Sequence, residues 1–539
     1  CHVGSRLGII PRVPARASEA MAQMWEIVGG VDKGGVLVRV GKDIGSAAEA
    51  QRLSTSALVE ELELEGDRLH YRRVSGSGPK EGWLSIRLPG KDLAVRVLRK
   101  LAEADGADGA AGSAPDSAEG APGIPPPALS PALRALFGLA GECAPIEVVD
   151  IPEGTALHVA TISDIHIDHK QNMAWFQGHL PRKGTQGCYN VLILPGDVSD
   201  DLSKLRQTLE MFTGGFDLVC YTPGNHDVWV SRAGSPPDSM AKFREVLQVC
   251  ADCNVRTRPV RLRMTGETAG PDVLLVPLLS FYTSDWDREP DMPWTPQEQM
   301  AMKSWTDFKA IKWPQELVDE VRRRNGEFAF ASGRVSPAIS EIFAAINEPW
   351  LEEVLSSSHG GAGGDSCVVL SYSHYLPRQE LFPEKRFLVD GNLHKVSGSL
   401  ILESQVRRLR PHLHIFGHTH LTIDLELEGQ RYLQWALGTP QEQRAMTRAV
   451  GDTGMLVVYD SGGSAPHLAP VQTTFWGRFF AKGLRNPAET CPAAFVRGLF
   501  KRLYPQVELP FDDAYFQKTP NPGPPPDTWE GLYEPRWRM

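Results

Sequence analysis

The sequence predicts an α/β protein preceded by a small all-β domain, and three observations support this prediction. The first 100 residues alternate short strand-like runs with glycine-rich turns. A segment dominated by alanine, glycine, proline and serine follows. From about residue 145, continuous apolar runs alternate with helical segments, a pattern typical of two packed mixed sheets with helices outside.

The length and composition limit the classes of protein to which the chain can belong. At 539 residues it is too long for one ordinary core. Its 56 basic and 66 acidic residues give a net charge of −10, which argues against a general nucleic-acid-binding protein. No apolar run approaches the ~20 residues that a membrane-spanning helix needs. The eight scattered cysteines do not indicate a disulfide framework, so we expect a reducing, cytoplasmic location.

The first 24 residues are interpreted separately. Arg6, Arg12 and Arg16 precede the first acidic residue, Glu19. This bias predicts either a disordered segment or the remnant of a targeting segment. In the second case an organelle is the alternative location.

Residues 25–100 are predicted to form a small β-barrel-like domain. A turn followed by Gly82 and Trp83 resembles the closing strands of SH3-like barrels. Such a domain would be either a docking module for a protein partner or a structural appendage. The predicted strands are 25–28, 36–40, 58–64, 69–74 and 82–86.

The main domain is predicted to span residues 145–465, after a linker over 101–144 whose composition is too polar to bury a core. A hairpin is expected around residues 428–430 and a last strand at 455–459. The predicted core strands are 156–162, 191–194, 218–221, 273–279, 368–371 and 413–416, and the clearest helices are 202–212 and 240–250.

Two further segments flank or interrupt this scheme. Residues 281–360 hold five tryptophans among charged helical sequence, and we interpret them as a helical insertion or lid. An insertion whose tryptophans pack a small core of their own is the simpler alternative. The tail, 466–539, is rich in proline and aromatic residues and is expected to pack on the main domain.

Five short blocks of metal-binding residue types lie in fixed order, most of them directly after a predicted strand. Because the carboxyl ends of strands meet at one edge of a sheet, these side chains are expected to converge. The blocks contribute Asp164 and His166, then Asp197, then Asn225 and His226, then His374, and finally His418 and His420.

This mixture of ligand types predicts the chemistry of the site. Carboxylate and amide oxygens together with imidazole nitrogens suit Mn, Fe, Zn or Ni. A carboxylate such as that of Asp197 is able to bridge two cations. Paired-metal sites of this kind hydrolyse phosphate esters. We therefore expect two divalent or trivalent metal ions and a phosphorylated small molecule or other phosphoester as substrate.

The five blocks resemble, in order, the signature of the calcineurin-like metallophosphoesterases over roughly 155–460. Residues 373–380 and 383–386 further resemble a subgroup found in plants, algae and bacteria. The family resemblance implies a four-layer α/β/β/α sandwich. It also implies a first metal held by Asp164, His166, Asp197 and His420, and a second held by Asp197, Asn225, His374 and His418.

The resemblance further implies hydrolysis of a phosphomonoester or phosphodiester by a metal-bridging hydroxide. His226 is the implied catalytic histidine, assisting the leaving oxygen. Asp200 is the candidate to orient His226, since it lies three residues after Asp197.

One position departs from the family pattern. Members that dephosphorylate proteins carry Asp-Arg-Gly after the second block, and the arginine grips phosphate. Here Asp201 stands in place of that arginine, which argues against a phosphoprotein phosphatase. Arg378 and Arg386 are the candidate substrate-binding replacements. Two alternatives to a phosphatase or phosphodiesterase stay open: an interaction protein on a phosphoesterase scaffold, and a nuclease of the same fold.

Overall fold

A computed structural model describes residues 24–97, 129–137 and 145–496, with gaps. All but the last residue of the predicted segment 1–24, most of the 101–144 linker and the end of the tail lie outside the described residues. The chain divides into two compact units, Cys1–Ala118 and Glu119–Met539. The gaps are 28–32, 34, 55–56, 74–76, 89–90, 182, 184–186, 267–269, 293–304, 326–334, 360–366, 389, 444–453, 463–466, 475, 478–479, 481–484 and 494–495.

The first unit contains a five-stranded antiparallel sheet in the order β4-β3-β2-β1-β7, and β5 and β6 form a small separate ribbon. Its core contains Trp25, Val36, Leu53 and Tyr71. The strands are β1 Met24–Ile27, β2 Leu58–Glu65, β3 Arg68–Arg73, β4 Glu81–Ser85, β5 Arg87–Leu88, β6 Lys91–Asp92 and β7 Ala94–Val97.

The predicted strand 36–40 is wrong as a continuous strand. Val36 bridges Leu53, whereas Arg39 bridges both Ala48 and Trp83. The segment changes partner within three residues, so no ladder forms. The likeness to an SH3 barrel stays a prediction.

The second unit is a mixed α/β fold in which two sheets pack together and are flanked by helices. One sheet has the order β12-β11-β10-β9-β19-β20 and the other β17-β18-β16-β15-β14-β13-β8. The strands are β8 Glu147–Ile151, β9 Ala156–Thr161, β10 Cys188–Leu194, β11 Leu218–Tyr221, β12 Val255–Arg256, β13 Val260–Met264, β14 Val273–Pro277, β15 Val368–Tyr372, β16 Leu413–Phe416, β17 Ile423–Leu427, β18 Gln430–Gln434, β19 Leu456–Asp460 and β20 His467–Leu468.

Strands β9 to β12 pair in parallel, as do β14, β15, β16 and β18. Each predicted strand of this unit is present, and so is the predicted hairpin, formed by β17 and β18. The prediction missed β8, β12, β13 and β20. Strand β13 alternates apolar residues with Arg261 and Arg263, so it lacks the continuous apolar run that marks a strand buried on both faces.

The two faces of β14 show how the layers pack. Leu274 and Val276 join one core cluster, and Val273 and Leu275 join the other. Since alternate residues of a strand point to opposite faces, this sheet is covered on both sides. The cluster that holds Leu275 also contains residues of β9 and β10, so it fills the space between the sheets.

Several helices begin where a side chain caps their first turn. The residues Ser130, Asp201, Asp238 and Ser399 each accept a backbone N–H of the helix that follows. The helices are α1 Pro131–Leu136, α2 Lys170–His179, α3 Leu202–Gly215, α4 Ser239–Asp252, α5 Asp307–Ala310, α6 Gln315–Asn325, α7 Pro337–His359, α8 Leu400–Leu409 and α9 Pro440–Gln443. Among these described helices, none is long and apolar enough to cross a membrane.

The predicted linker, insertion and tail all contribute to the core of this unit. Helix α1 lies inside the predicted linker, and Leu133 packs in the main core. The insertion does not form a separate core, because Trp286 and Trp350 belong to the same large cluster as the sheet. In the tail, Trp476 is buried in that cluster and Arg485 donates to Phe382 O at 2.9 Å, so the described parts of the tail pack on this unit.

Candidate metal centre

The metal-binding residue types converge at the carboxyl ends of five strands. The loops that follow β9 and β10 bond to each other, because His166 N donates to Asp197 O at 3.1 Å. The loops that follow β15 and β16 are joined in the same way by a bond from Gly417 N to His374 O at 2.9 Å. In each sheet, such a bond holds two neighbouring ligand-bearing loops together.

Five of these side chains stand on left-handed backbone. This conformation is uncommon for residues other than glycine and has a free-energy cost that the surrounding structure must offset. It turns the chain sharply at the end of a strand, so that several side chains of one loop face the same space. The five φ angles are Asp164 +51°, His166 +39°, Asp197 +56°, His418 +79° and His420 +55°.

A first group of ligand atoms comes from Asp164, His166, Asp197 and His420, and these atoms lie within 4.8 Å of one another. The Nε2 atoms of His166 and His420 are 2.8 Å apart. His420 Nε2 is 3.7 Å from Asp164 Oδ1. This set of two carboxylates and two imidazoles suits a transition metal.

A second group shares Asp197 with the first and adds His374 and His418. Asn225 completes it, since its Oδ1 lies 3.0 Å from His374 Nε2 and 3.0 Å from His418 Nδ1. His374 Nε2 is 3.5 Å from Asp197 Oδ2. The shared carboxylate therefore lies between two adjacent groups of ligand atoms.

Backbone carbonyls set the tautomers of the two histidines in the second group. His374 Nδ1 lies 2.9 Å from Pro195 O, and His418 Nε2 lies 2.7 Å from Val396 O. A carbonyl oxygen only accepts, so each of these nitrogens must carry the proton. The other nitrogen of each ring, which faces Asn225, is left with a free lone pair for a cation.

His420 is held in a similar way by a carboxylate. Its Nδ1 lies 2.7 Å from Glu442 Oε2. Burial disfavours the charged form of His420, but Glu442 and Asp164 outweigh burial and raise its pKa to about 9. Burial alone would raise the pKa of Glu442, but the charge and hydrogen bond of His420 lower it to about 2.

Burial and mutual repulsion shift the other ligands towards their neutral forms. Burial raises the pKa of Asp164 to about 6. Burial, with the nearby Asp227 and Asp164, raises the pKa of Asp197 well above its usual value. Burial also lowers the pKa of His374 far below normal and that of His418 to about 4. Neutral imidazoles are the form that binds metals.

Two glycines make room for this arrangement. A Cβ on Gly224 would lie 2.2 Å from Asp197 Oδ1, and a Cβ on Gly196 would lie 2.4 Å from His374 Nδ1. The backbone therefore passes directly against the ligands, as only glycine permits. The donor set and this close backbone approach both fit a bound pair of cations.

The His226 ring lies beside the first group, with its centroid 4.7 Å from that of His166. Its Nε2 is 3.9 Å from Asp197 Oδ2, and its side chain is 29% exposed where that of Asp197 is 1% exposed. The ring stacks on Trp229 at 3.6 Å. Burial and the neighbouring histidines keep the pKa of His226 well below normal, so the ring is neutral.

The structure does not bring the Asp200 carboxylate to His226. Asp200 Oδ1 instead accepts from Arg232 Nε at 2.7 Å, and the described contact that orients His226 is its stacking on Trp229. The neighbouring Asp201 caps α3, accepting from Ser203 N at 2.9 Å. The position that departs from the family pattern is therefore a helix cap.

Neither predicted substrate-binding arginine is placed at the cluster. Arg378 is buried and bonds to Glu380 at 2.9 Å and Glu428 at 2.8 Å. Arg386 bonds to Glu384 at 3.2 Å. Within the described part of the chain, no lysine or arginine hydrogen-bonds to a side chain of either ligand group.

Sequence reasoning missed two supporting residues. Glu442 fixes His420, but it lies 22 positions away on a short helix with no distinguishing pattern. Asp307 accepts from Asn225 Nδ2 at 2.9 Å and lies in the tryptophan-rich insertion. Asp227 supports the loops after β10 and β11, since its carboxylate accepts from four backbone N–H groups.

Comparison with known proteins agrees with this geometry. Residues 157–421 match the model of the calcineurin-like phosphoesterase family. This segment is a calcineurin-like phosphoesterase domain. The match begins in β9 and ends just after His420, so the phosphoesterase domain contains all five ligand-bearing loops.

A curated relative of the phosphoesterase domain is the acyl-carrier-protein phosphodiesterase PptH of Mycobacterium tuberculosis. The two chains are 26% identical over 122 residues, which is 22% of this chain and 36% of the relative, so the alignment spans about a third of that protein. The crystal structure of phosphopantetheinyl hydrolase PptH from the same organism covers 59% of this chain and 99% of its own, at 18% identity and a TM-score of 0.38.

The Gly224→Ala variant tests the close backbone approach. Its methyl group would displace Asp197 and His374, the latter because the added Cβ would lie 2.7 Å from His374 Nε2. We expect a folded protein that takes up far less Mn or Zn per chain, measured by elemental analysis after dialysis.

Gly214→Ala is the matched control for this variant. Gly214 lies in α3, where an added Cβ meets nothing within 4 Å. Its metal content should equal that of the unchanged protein. If the Gly224→Ala variant binds as much metal as the unchanged protein, the close approach of the backbone to Asp197 and His374 is contradicted.

Proposed function

We propose that the protein hydrolyses a phosphoester with the help of two bound transition-metal cations. The observation that supports this most directly is that two groups of ligand atoms share the carboxylate of Asp197. A shared carboxylate is the arrangement in which one side chain binds two cations a few ångströms apart. Mn, Fe, Zn or Ni fits the mixture of oxygen and nitrogen donors.

The residues of each group would hold one cation. The first would bind Asp164, His166, Asp197 and His420, and the second Asp197, Asn225, His374 and His418. When bound, the pair would neutralise phosphoryl oxygens and lower the pKa of a water towards neutral. The Asn225 amide completes the second group without adding charge.

His226 is the proposed catalytic residue. Its ring is neutral, lies next to the first ligand group and is more exposed than the ligand carboxylate of Asp197. An imidazole in this place is able to pass a proton to the leaving oxygen of the substrate once it has taken that proton up from water. The stacking on Trp229 and the bond from His226 N to Asp197 Oδ1, at 3.0 Å, support its orientation.

The charges around the cluster favour a phosphodiester over a phosphomonoester. A phosphomonoester near neutral pH carries up to one more negative charge than a phosphodiester. Because of this charge, a site that binds a monoester usually has an additional cationic side chain. Here Asp201 caps a helix, while Arg378 and Arg386 bond to carboxylates. The relative PptH is itself named a phosphodiesterase, so a phosphodiester on a carrier protein is a candidate substrate.

The alternatives make different predictions. An interaction protein on this scaffold would fold and function without metal, whereas the proposed enzyme binds about two transition-metal ions per chain. A nuclease of this fold would digest single-stranded DNA. The net charge of −10 argues against that nuclease.

Replacing His418 with alanine should remove the second cation and abolish turnover while the chain stays folded. His418 Nδ1 faces both Asn225 and His374. Its loss therefore removes a ligand from the second group and leaves all four ligands of the first in place. Metal analysis should show one equivalent fewer. His179→Ala, an exposed histidine at the end of α2, is the control and should behave as the unchanged protein. Undiminished hydrolysis by the His418 variant would refute the ligand assignment.

Replacing His226 with alanine should leave the metal content unchanged and slow turnover by about two to four powers of ten, the usual scale of acid–base assistance. The measurements are kcat and metal content on the same preparation. Loss of metal instead would identify His226 as a ligand.

Substrate preference is tested with para-nitrophenyl phosphate and its bis-ester, each with Mn, Fe, Zn and Mg. We expect a higher kcat/KM for the bis-ester, because the described site offers no guanidinium for the extra charge of the monoester. An acyl carrier protein that bears a phosphopantetheinyl group provides a protein-linked diester. A preference for the monoester would overturn the diester assignment but not the metal-dependent hydrolysis.

A further inference from the structure

The carboxylate of Asp307 is buried behind the second ligand group and is surrounded by hydrogen-bond donors. Asp307 is 1% exposed. Its Oδ1 accepts from Asn225 Nδ2 at 2.9 Å and from Trp229 Nε1 at 2.6 Å. Its Oδ2 accepts from Tyr282 OH at 3.0 Å and from Trp305 Nε1 at 3.1 Å. Two of these partners, Asn225 and Trp229, belong to the loop of the candidate centre.

These contacts determine which way the Asn225 amide points. An indole N–H only donates, and one indole bonds to each oxygen of Asp307, so both oxygens must accept. Asn225 must then present its NH₂ group to Asp307. Its Oδ1 is left facing His374 and His418, which is the orientation that a metal ligand requires.

We infer that Asp307 is a positioning residue of the metal centre, which holds the Asn225 amide oxygen towards the second cation and, through Trp229, holds the His226 ring. This inference rests on the proposed function. The insertion then has a direct part in building the centre. It supplies the Asp307 carboxylate, and without this acceptor the Asn225 amide is free to rotate.

A purely structural role, in which the carboxylate only anchors the insertion, is less well supported by the surrounding bonds. Backbone hydrogen bonds already attach α5 and the residues just after it to the loop after β11 and to the start of α4. Val230 N donates to Ala310 O at 2.8 Å, and Ser239 N donates to Lys312 O at 2.7 Å. The Asp307 carboxylate is not needed for this attachment.

The Asp307→Ala variant tests the inference through metal uptake. Loss of a residue that orients a ligand typically weakens metal binding by about 10- to 100-fold. We expect this loss for the second cation, with the first unchanged. Mn(II) titration is followed by EPR, which distinguishes single from paired ions. At the same Mn(II) concentration, the variant should show single ions where the unchanged protein shows pairs. Asp307→Asn keeps the volume and a weaker acceptor, so its affinity should lie between those of the unchanged protein and the alanine variant.

Two controls separate positioning from general damage. Trp305→Phe removes one donor from Oδ2 and leaves the bond to Asn225, so pairing of the ions should persist. Asp319→Asn makes the same carboxylate-to-amide change at an exposed site on α6 and should have no effect. Circular dichroism checks the fold of every variant.

A double-mutant cycle decides between the two roles. In an Asn225→Ala background no amide remains to be oriented, so Asp307→Ala should weaken the second cation no further. Any of three results would overturn the inference. These are an equal loss of affinity for the second cation in both backgrounds, a loss of the first cation as well, and an unchanged affinity in both Asp307 variants. Failure of the unchanged protein to bind any transition metal would instead contradict the proposed function itself.

Discussion

The structure of the centre depends on how it accommodates several buried carboxylates a few ångströms apart. Like charges in a low-dielectric interior repel strongly. Asp227 resolves this with four backbone N–H groups directed at its two oxygens. Asp197 receives one, from His226. The pKa of Asp197 is consequently raised, by burial first and then by Asp227 and Asp164. The two neighbouring carboxylates therefore differ. Protein donors satisfy the carboxylate of Asp227, whereas the carboxylate of Asp197 keeps lone pairs that a cation would use.

The backbone around the site follows from the same requirement. Ligands that arrive from separate strands meet only if each strand end turns sharply, which the left-handed residues such as Asp197 and His418 accomplish. The turns also bring the main chain close to the metal-binding side chains, so that positions 196 and 224 have no room for a side chain. The bonds between the loops hold this conformation, whose cost the many buried contacts of the two sheets offset.

The insertion and the tail are part of the same folded unit rather than additions to it. Aromatic residues of the insertion enter the core that covers the outer face of β14. Asp307 then links this core to the candidate metal centre through Asn225. The buried Arg378 bonds to Glu428 of a distant strand end, and the buried Arg386 bonds to Glu384 of its own loop, so both arginines are already paired with carboxylates. A charged side chain in a conspicuous motif is therefore not by itself evidence of contact with substrate.

The strands with continuous apolar runs, the order of the five blocks and the family resemblance were predictable from the amino-acid sequence, because they depend on local pattern and on residue type at fixed spacing. The other features arise from tertiary contacts. Strands such as β13 owe their pairing to neighbours rather than to an apolar run, and no local motif marks the bonds of Arg378 to Glu428 or of Asp200 to Arg232. The roles of Glu442 and Asp307 arise from hydrogen bonds across 22 and 82 positions. No local pattern records such contacts, since they exist only after the chain has closed around them.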